Sequence, residues 1–498
     1  MNSIAVTRMA WIVVAASTAA RVVVAARLPL SGDEAYYWEW SRRLAFGYLD
    51  HPPMVAWLIA AFDMGQRSAF LVRLPFVLCG LGAALALAAF VTRATGDRLA
   101  GAFAALVLSL APFATIAFTI AAPDGPELFF WSLSLYLGLR ALEPAASRFR
   151  IPLAVAVAAT LLSSLLGAFL ILGVVIALTA GARLGAHGES GVSPSRHALA
   201  ALALFAVAIA PYVMWDAAHG WAATRFALLG RHPFVPGGNI AALLAVLAAV
   251  LTPGLFVALG WTIAALASSY TLANRLVLWT SLPLLATCLL LATRERVEFN
   301  WLDGAALSLI GGLGLCAARM SRTSRTLVVA PAAAATLLLF AVAAFPMQAL
   351  QFAGNAFGLH LRNQGAFEIW AYEPAARDLA SEARTSGAIV MTDGYGLSSV
   401  LDFYGGVTPV VIGYDAQGRE ARGWFTGSAR TRAIFLDKEP LPSRPDLQQR
   451  LGRACVRVTD LGSRTYRVRG QVARTFYLTG CDGLTSGGLT LLRFPDKS

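Results

Sequence analysis

The chain is a succession of apolar runs close to bilayer length, and this repetition constrains its fold more than any single motif does. A spanning helix needs about 20 apolar residues, within roughly 17–25. Such runs occur near Met9–Leu30, Phe70–Val91, Leu99–Ile120, Leu128–Leu142, Ala198–Met214, Ile240–Leu266, Leu276–Leu291, Gly304–Cys316 with an N-side extension, and Thr326–Phe345. Across 498 residues, 57% are hydrophobic and only 14% charged, and mean hydropathy is +0.63. That balance describes an integral membrane protein. Arg8 precedes the first run, which is longer than the apolar part of a cleavable signal and is therefore read as a retained helix.

Pro152–Ala180, within residues 151–181, is long for one helix and short for two. Arg148 and Arg150 precede it, and Arg183 and Arg196 follow. Like-charged flanks put both ends on one side. Two short helices meeting near Ser163-Ser164, shielded by neighbouring protein, satisfy this; one long tilted helix is the alternative. Counting the doubled segment gives about eleven crossings.

The loops sort into two alternating sets. One carries Arg8, Arg93, Arg98, Arg148, Arg150, Arg183, Arg196, Arg275, Arg319, Arg322 and Arg325. The other carries Asp33, Glu34, Asp124, Glu127, Asp216, His219, Glu295 and Glu298. The positive-inside rule makes the first set cytoplasmic. It also explains the net charge of +12 without nucleic acid. The expected topology is a cytoplasmic N-terminus, a transmembrane domain over 1–350 with a long first periplasmic loop (31–67), and a periplasmic domain over 351–498. In this domain a helix from Glu373-Pro374 to Arg384 is expected. Strands are expected at Ala388–Thr392, Pro409–Ile412, Arg432–Leu436, Cys455–Val458, Thr465–Val468 and Thr490–Arg493. The fold class is thus a polytopic α-helical membrane protein with a C-terminal extracytoplasmic α/β domain. Gly185–Pro194 reads as a flexible stretch.

Chemistry concentrates in Ser31-Gly32-Asp33-Glu34-Ala35-Tyr36-Tyr37-Trp38-Glu39-Trp40 and Gly47-Tyr48-Leu49-Asp50-His51-Pro52-Pro53. A carboxylate pair closing an apolar span marks either a wet boundary or a working site. The surrounding aromatics, Trp57 among them, suit a segment lying in the membrane interface. Acids on one face, Asp33 and Asp124 above all, suit general base catalysis. Arg42, Arg43, His51, Arg67, Arg225, Arg231, Arg294 and Arg296 are candidate phosphate contacts, each with headgroup contact as its plainer reading. Asp33, Asp124 and His51 or His219 could hold a divalent metal through mixed ligands, though no paired-His spacing supports one. Walker and Ser-His-Asp patterns are absent. Cys79, Cys288 and Cys316 read as packing residues; Cys455 and Cys481 could pair if the tail lies outside the cytoplasm.

These motifs, with Ala122-Pro123-Asp124, the Pro211–Trp221 stretch, Asn300-Trp301, Thr392-Asp393-Gly394-Tyr395 and Phe403-Tyr404, resemble bacterial glycosyltransferases of family 39. That group has the GT-C fold and is akin to protein O-mannosyltransferases and lipid A aminoarabinose transferases. Many relatives carry Ser-Lys-Tyr where this chain has Ser163-Ser164-Leu165, and Trp-Asn where it has Trp215-Asp216. The resemblance implies inverting transfer of a hexose or pentose from a polyprenyl-phosphate donor at the periplasmic face of the bacterial inner membrane. Lipid A, another glycan or a protein would be the acceptor, with membrane lipids as partners. Asp33 would be catalytic, with Glu34 and Asp124 supporting it or positioning the acceptor. Tyr36, Tyr37, Arg42, His51, Pro52, Asp216, His219, Arg225, Arg231, Arg296 and Asn300 would line the substrate site. Two other classes stay open: a transporter or flippase of lipid-linked saccharides, for which the paired inverted repeats are missing, and a non-catalytic scaffold with a periplasmic sensor domain.

Overall fold

A computed structural model describes residues 3–141, 146–185, 196–230, 239–269, 271–346, 348–349, 365–413, 416–427, 431–468 and 470–493. Arg231 and nearly all of the Gly185–Pro194 stretch lie outside the described residues. The chain forms two compact units. One comprises Met1–Ala26, Leu44–Phe62 and Arg73–Phe340; the other comprises Arg27–Arg43, Asp63–Val72 and Ala341–Ser498.

The first unit is helical. Among the described residues, Ser3–Arg27, Ala69–Thr95, Ala200–Ala218, Leu272–Leu291 and Arg322–Ala344 are long and apolar enough to cross a membrane. The helices of this unit leave Leu202, Val207, Met214, Leu290, Leu337 and Leu338 exposed, as side chains solvated by lipid would be. The continuous span expected over Ile240–Leu266 is instead broken. Ile240–Leu251 and Pro253–Ala267 meet at 104°. Thr252 sits at φ 67, and Pro253 opens the second helix without an N–H to offer the first. The Leu99–Ile120 run also divides, into Arg98–Leu110 and Pro112–Ala117, because Pro112 pushes Ala111 to extended backbone. Arg150–Ser163 and Gly167–Gly185 are separate helices, so the chain does break at Ser163-Ser164.

Small and polar residues let these helices close up. A Cβ on Gly304 would meet the Trp131 ring at 2.7 Å, so only glycine fits there. Trp131 Nε1 donates to Ser308 Oγ (2.8 Å), which pairs with Thr280 Oγ1 (2.9 Å), linking three helices. Arg21, in the first apolar run, faces protein: it is buried and donates to the Ser109 carbonyl at 2.8 Å.

The second unit holds a five-stranded sheet of order β2-β1-β3-β5-β4. The strands are β1 (Ile389–Thr392), β2 (Val410–Val411), β3 (Arg432–Asp437), β4 (Arg457–Val468) and β5 (Gln471–Asp482). β2, β1 and β3 run parallel, while β5 is antiparallel to β3 and β4. Successive β1 residues feed opposite faces. Val390 joins a core with Leu379, Val400 and Phe476; Met391 joins another with Phe435, Leu451 and Leu492.

Three expectations fail here. Cys455–Val458 and Thr465–Val468 are not two strands but lie largely in one, β4, paired with β5, which was not anticipated. Thr490–Arg493 belongs to the helix Ser486–Arg493, whose buried Leu489 and Leu492 are spaced for a helix face. The helix expected from Glu373 begins at Gly365, leaving Pro374 in its interior. Cys455 and Cys481 are bonded, with Cα atoms 5.5 Å apart, and Cys79, Cys288 and Cys316 are buried thiols.

Candidate active site

The acidic segment after the first apolar run is a helix, Gly32–Ser41, and its sequence explains why. Ser31 accepts from the Glu34 amide, and Glu34 Oε2 accepts from the Ser31 amide at 2.9 Å. This capping box commits Glu34 to the helix start. Asp33, one residue earlier, is exposed, and Tyr395 donates its hydroxyl to Asp33 Oδ1 at 3.0 Å.

The helix is buried in protein rather than laid in a membrane interface. Tyr36, Tyr37, Trp38 and Trp40 are all buried. Tyr36 packs against Tyr395 and Trp424, with ring centroids 4.5 and 5.5 Å away, and donates its hydroxyl to Glu420. Trp38 donates to Asp63 at 3.1 Å and meets Phe403 edge-on. Arg42 and Arg67 each lie 5.2 Å from the Trp38 ring.

The partner helix is Tyr395–Gly405. Gly32 meets Gly396 so closely that a Cβ on Gly32 would lie 3.2 Å from the Gly396 Cα. Further along, Glu39 pairs with Arg43 in the neighbourhood of Asp402. Burial and the neighbouring Asp402 charge push the Glu39 carboxyl up to about 8, against the opposing pull of Arg43. Asp402 also accepts from Arg67 at 3.1 Å and from Thr408 at 2.7 Å.

A second acid group lies in the helical unit. Asp124 opens the helix Asp124–Ala141, and Asn300 Nδ2 donates to Asp124 Oδ1 at 3.1 Å. Glu127, one turn on, is buried, and buried Asp303 feels the charges of both acids.

The Gly47 and Trp215 motifs also meet within this unit. A Cβ on Gly47 would lie 2.4 Å from the Trp215 ring and 2.9 Å from that of Tyr212. Asp216 is buried and accepts from the Ala223 and Thr224 amides and the Thr224 hydroxyl, so it ties the turn into Ala222–Arg225. His219 stacks on Trp215 at 4.3 Å. The His51 carbonyl accepts from the Tyr48 amide, and Pro52 is buried. Arg225 and Arg296 are exposed.

The structure therefore brings Asp33 to Tyr395, Tyr36 to Glu420, and Asp124 to Asn300. Glu39, Asp402, Glu127 and Asp303 escaped the sequence reading as site residues. Only their partners across the fold mark them out, and no local spacing signals those. Among the described residues, no group of three or more His, Cys, Asp or Glu side chains is arranged to hold a metal ion.

Comparison with known proteins agrees with this architecture. Residues 50–215 match the dolichyl-phosphate-mannose-protein mannosyltransferase family. The lipid A galacturonosyltransferase RgtD of Rhizobium johnstonii is 29% identical over 279 residues, covering 54% of this chain and 56% of that protein. The chain thus spans about half the length of this curated relative. The crystal structure of ArnT from Cupriavidus metallidurans superposes with a TM-score of 0.65 at 16% identity, covering 95% of this chain and 98% of that one. The same protein bound to undecaprenyl phosphate gives 0.64 at 14% identity with the same coverage. The chain has the fold of ArnT, and sequence and fold together support the GT-C glycosyltransferase resemblance carried by its motifs.

Proposed function

We propose that this chain is a multi-pass membrane glycosyltransferase that moves a sugar from a polyprenyl-phosphate carrier to lipid A or a kindred glycolipid. The observation that carries the reading is Asp33, an exposed carboxylate on a rigidly packed helix, oriented by the Tyr395 hydroxyl. The lipid A relative and the undecaprenyl phosphate held by ArnT supply the substrate classes. The alternation of basic and acidic loops supports an N-terminus in the cytoplasm and residues 351–498 in the periplasm, on about eleven crossings of the inner membrane.

In this reading Asp33 is the general base. It takes the proton of the acceptor hydroxyl as that oxygen bonds to the sugar's anomeric carbon. The bond from that carbon to the phosphate oxygen breaks, the configuration inverts, and polyprenyl phosphate leaves with the electron pair. Arg42, Arg225 and Arg296 are candidates to receive the phosphate charge, each an exposed guanidinium with forked donors. Asp124, held by Asn300, would position the acceptor.

Asp33→Asn keeps shape and removes basicity. Purified, folded variant should lose transfer from a polyprenyl-phosphate sugar by about 10²–10⁴-fold, the usual worth of a positioned base. Full activity in the variant would remove Asp33 from the role. Mass analysis of surface glycolipids with and without the protein would identify the sugar.

A further inference from the structure

The parallel strands β1 and β3 end side by side. Thr392 pairs with Leu436, so the next residues along, Asp393 and Asp437, arrive at the same edge of the sheet. Like charges opposite each other on neighbouring strands repel. The Arg444 guanidinium answers both. Its Nη2 meets Asp393 Oδ2 at 2.5 Å, and its Nη1 meets Asp437 Oδ2 at 3.4 Å. The planar fork holds its two partners in one geometry. Arg444 is itself firmly mounted: its amide donates to the Leu441 carbonyl and its carbonyl accepts from the Gln448 amide, each at 2.9 Å. The connections from β1 and β3 leave toward opposite edges of the sheet, and such a divide is where open α/β sheets place their ligands.

Asp393 stands two residues before Tyr395, whose hydroxyl meets Asp33. Between them Gly394 opens the helix Tyr395–Gly405 with no side-chain cap, so the first turn takes its place from the backbone that precedes it. That backbone is closely held. The Thr392 carbonyl accepts from the Ile412 amide at 2.9 Å, and a Cβ on Gly413 would lie 2.0 Å from the Asp393 carbonyl oxygen. We propose that Arg444 is a positioning residue: by clamping Asp393 to Asp437 at the carboxyl ends of β1 and β3, it fixes the start of the Tyr395–Gly405 helix and so keeps the Tyr395 hydroxyl against Asp33. Without the guanidinium, the two carboxylates face each other and push the helix start aside. The catalytic meaning rests on the function proposed above; the clamp itself does not.

A displaced Tyr395 leaves Asp33 in place but misaims its carboxylate. The loss then falls on kcat, with KM unchanged, as for an interaction made only in the transition state. A misplacement of about 1 Å is worth about 10²-fold. An arginine that touched substrate directly would instead raise KM.

The test uses full-length protein in detergent and reads both amide hydrogen exchange and sugar transfer from a polyprenyl-phosphate sugar to lipid A. Arg444→Met should lower kcat about 10²-fold at unchanged KM. Joined to Tyr395→Phe, it should cost nothing beyond Tyr395→Phe alone, because both act through one hydroxyl. Asp437→Asn in the Arg444→Met background removes the opposing charge and should recover about tenfold of the loss. Exchange over 394–398 should quicken in Arg444→Met and slow again with Asp437→Asn, while β4 and β5 stay as in wild type. Additive losses in the double variant, a raised KM at unchanged kcat, or exchange quickened equally throughout the tail unit would each overturn the clamp. If exchange responds as expected but no protein, wild type included, transfers sugar, the clamp stands and the glycosyltransferase reading falls.

Discussion

The two units hold their acids in different ways. In the helical unit, Asp124 is met by the Asn300 amide and Asp216 by the Ala223 and Thr224 amides and the Thr224 hydroxyl, all uncharged donors. In the tail unit, Glu39 has Arg43, Asp402 has Arg67, Asp393 and Asp437 share Arg444, and Glu368 has Lys438. An uncharged donor on a helix fixes one geometry and ignores salt. A partly exposed ion pair is looser and screened. The contrast teaches that Asp124 and Asp216 of the helical unit, like Asp33, Glu34 and Asp63 of the tail unit, are held by uncharged donors, whereas Glu39, Asp402, Asp393, Asp437 and Glu368 of the tail unit depend on charge balance.

Five substitutions would break or sharpen this contrast, each read as thermal unfolding of the whole protein in detergent. The largest effect tests the covalent tie. Cys481→Ser removes the bond to Cys455 and should cost about 2–5 kcal/mol in the tail unit alone; mass spectrometry of unreduced wild type should find the two linked. Next, Asn300→Leu strips Asp124 of a donor and should cost about 1–3 kcal/mol at any ionic strength. A salt-dependent loss there would mean that charge, not packing, governs the helical unit. Glu34→Ala unmakes half of a capping box and should cost about 0.5–2 kcal/mol. Asp33→Asn, next door, should leave stability unchanged, which separates the capping acid from its exposed neighbour. The smallest loss belongs to Arg464→Ala, which gives up a surface pair with Glu382 and should cost about 0–1 kcal/mol, vanishing in high salt.

Much of this was legible in the residues. Long apolar runs announced spanning helices because lipid leaves a backbone few other choices. The break at Ser163-Ser164 was betrayed by the arginines on both flanks. The break at Thr252 was not, since Ile240–Leu266 is apolar throughout and only Pro253 hints at a new helix start. Thr490–Arg493 misled because a short apolar run suits strand and helix alike. Asp33 and Glu34 look alike in the sequence, and only the fold shows that Glu34 serves as a cap. The Glu39–Asp402 pair was beyond reach of any local pattern, since each acid alone looks like an ordinary helix residue.

The placement of Gly32–Ser41 among residues of the far C-terminal region has a consequence for biosynthesis. The ribosome delivers Tyr36, Trp38 and Trp40 early, but Tyr395, Phe403 and Trp424, which sheathe them, emerge only near the end of translation. Until then a greasy helix carrying Asp33 waits without its cover. Chains cut short anywhere before the tail would thus lose the environment of their earliest-made residues, and quality control could recognise such fragments by that naked aromatic face.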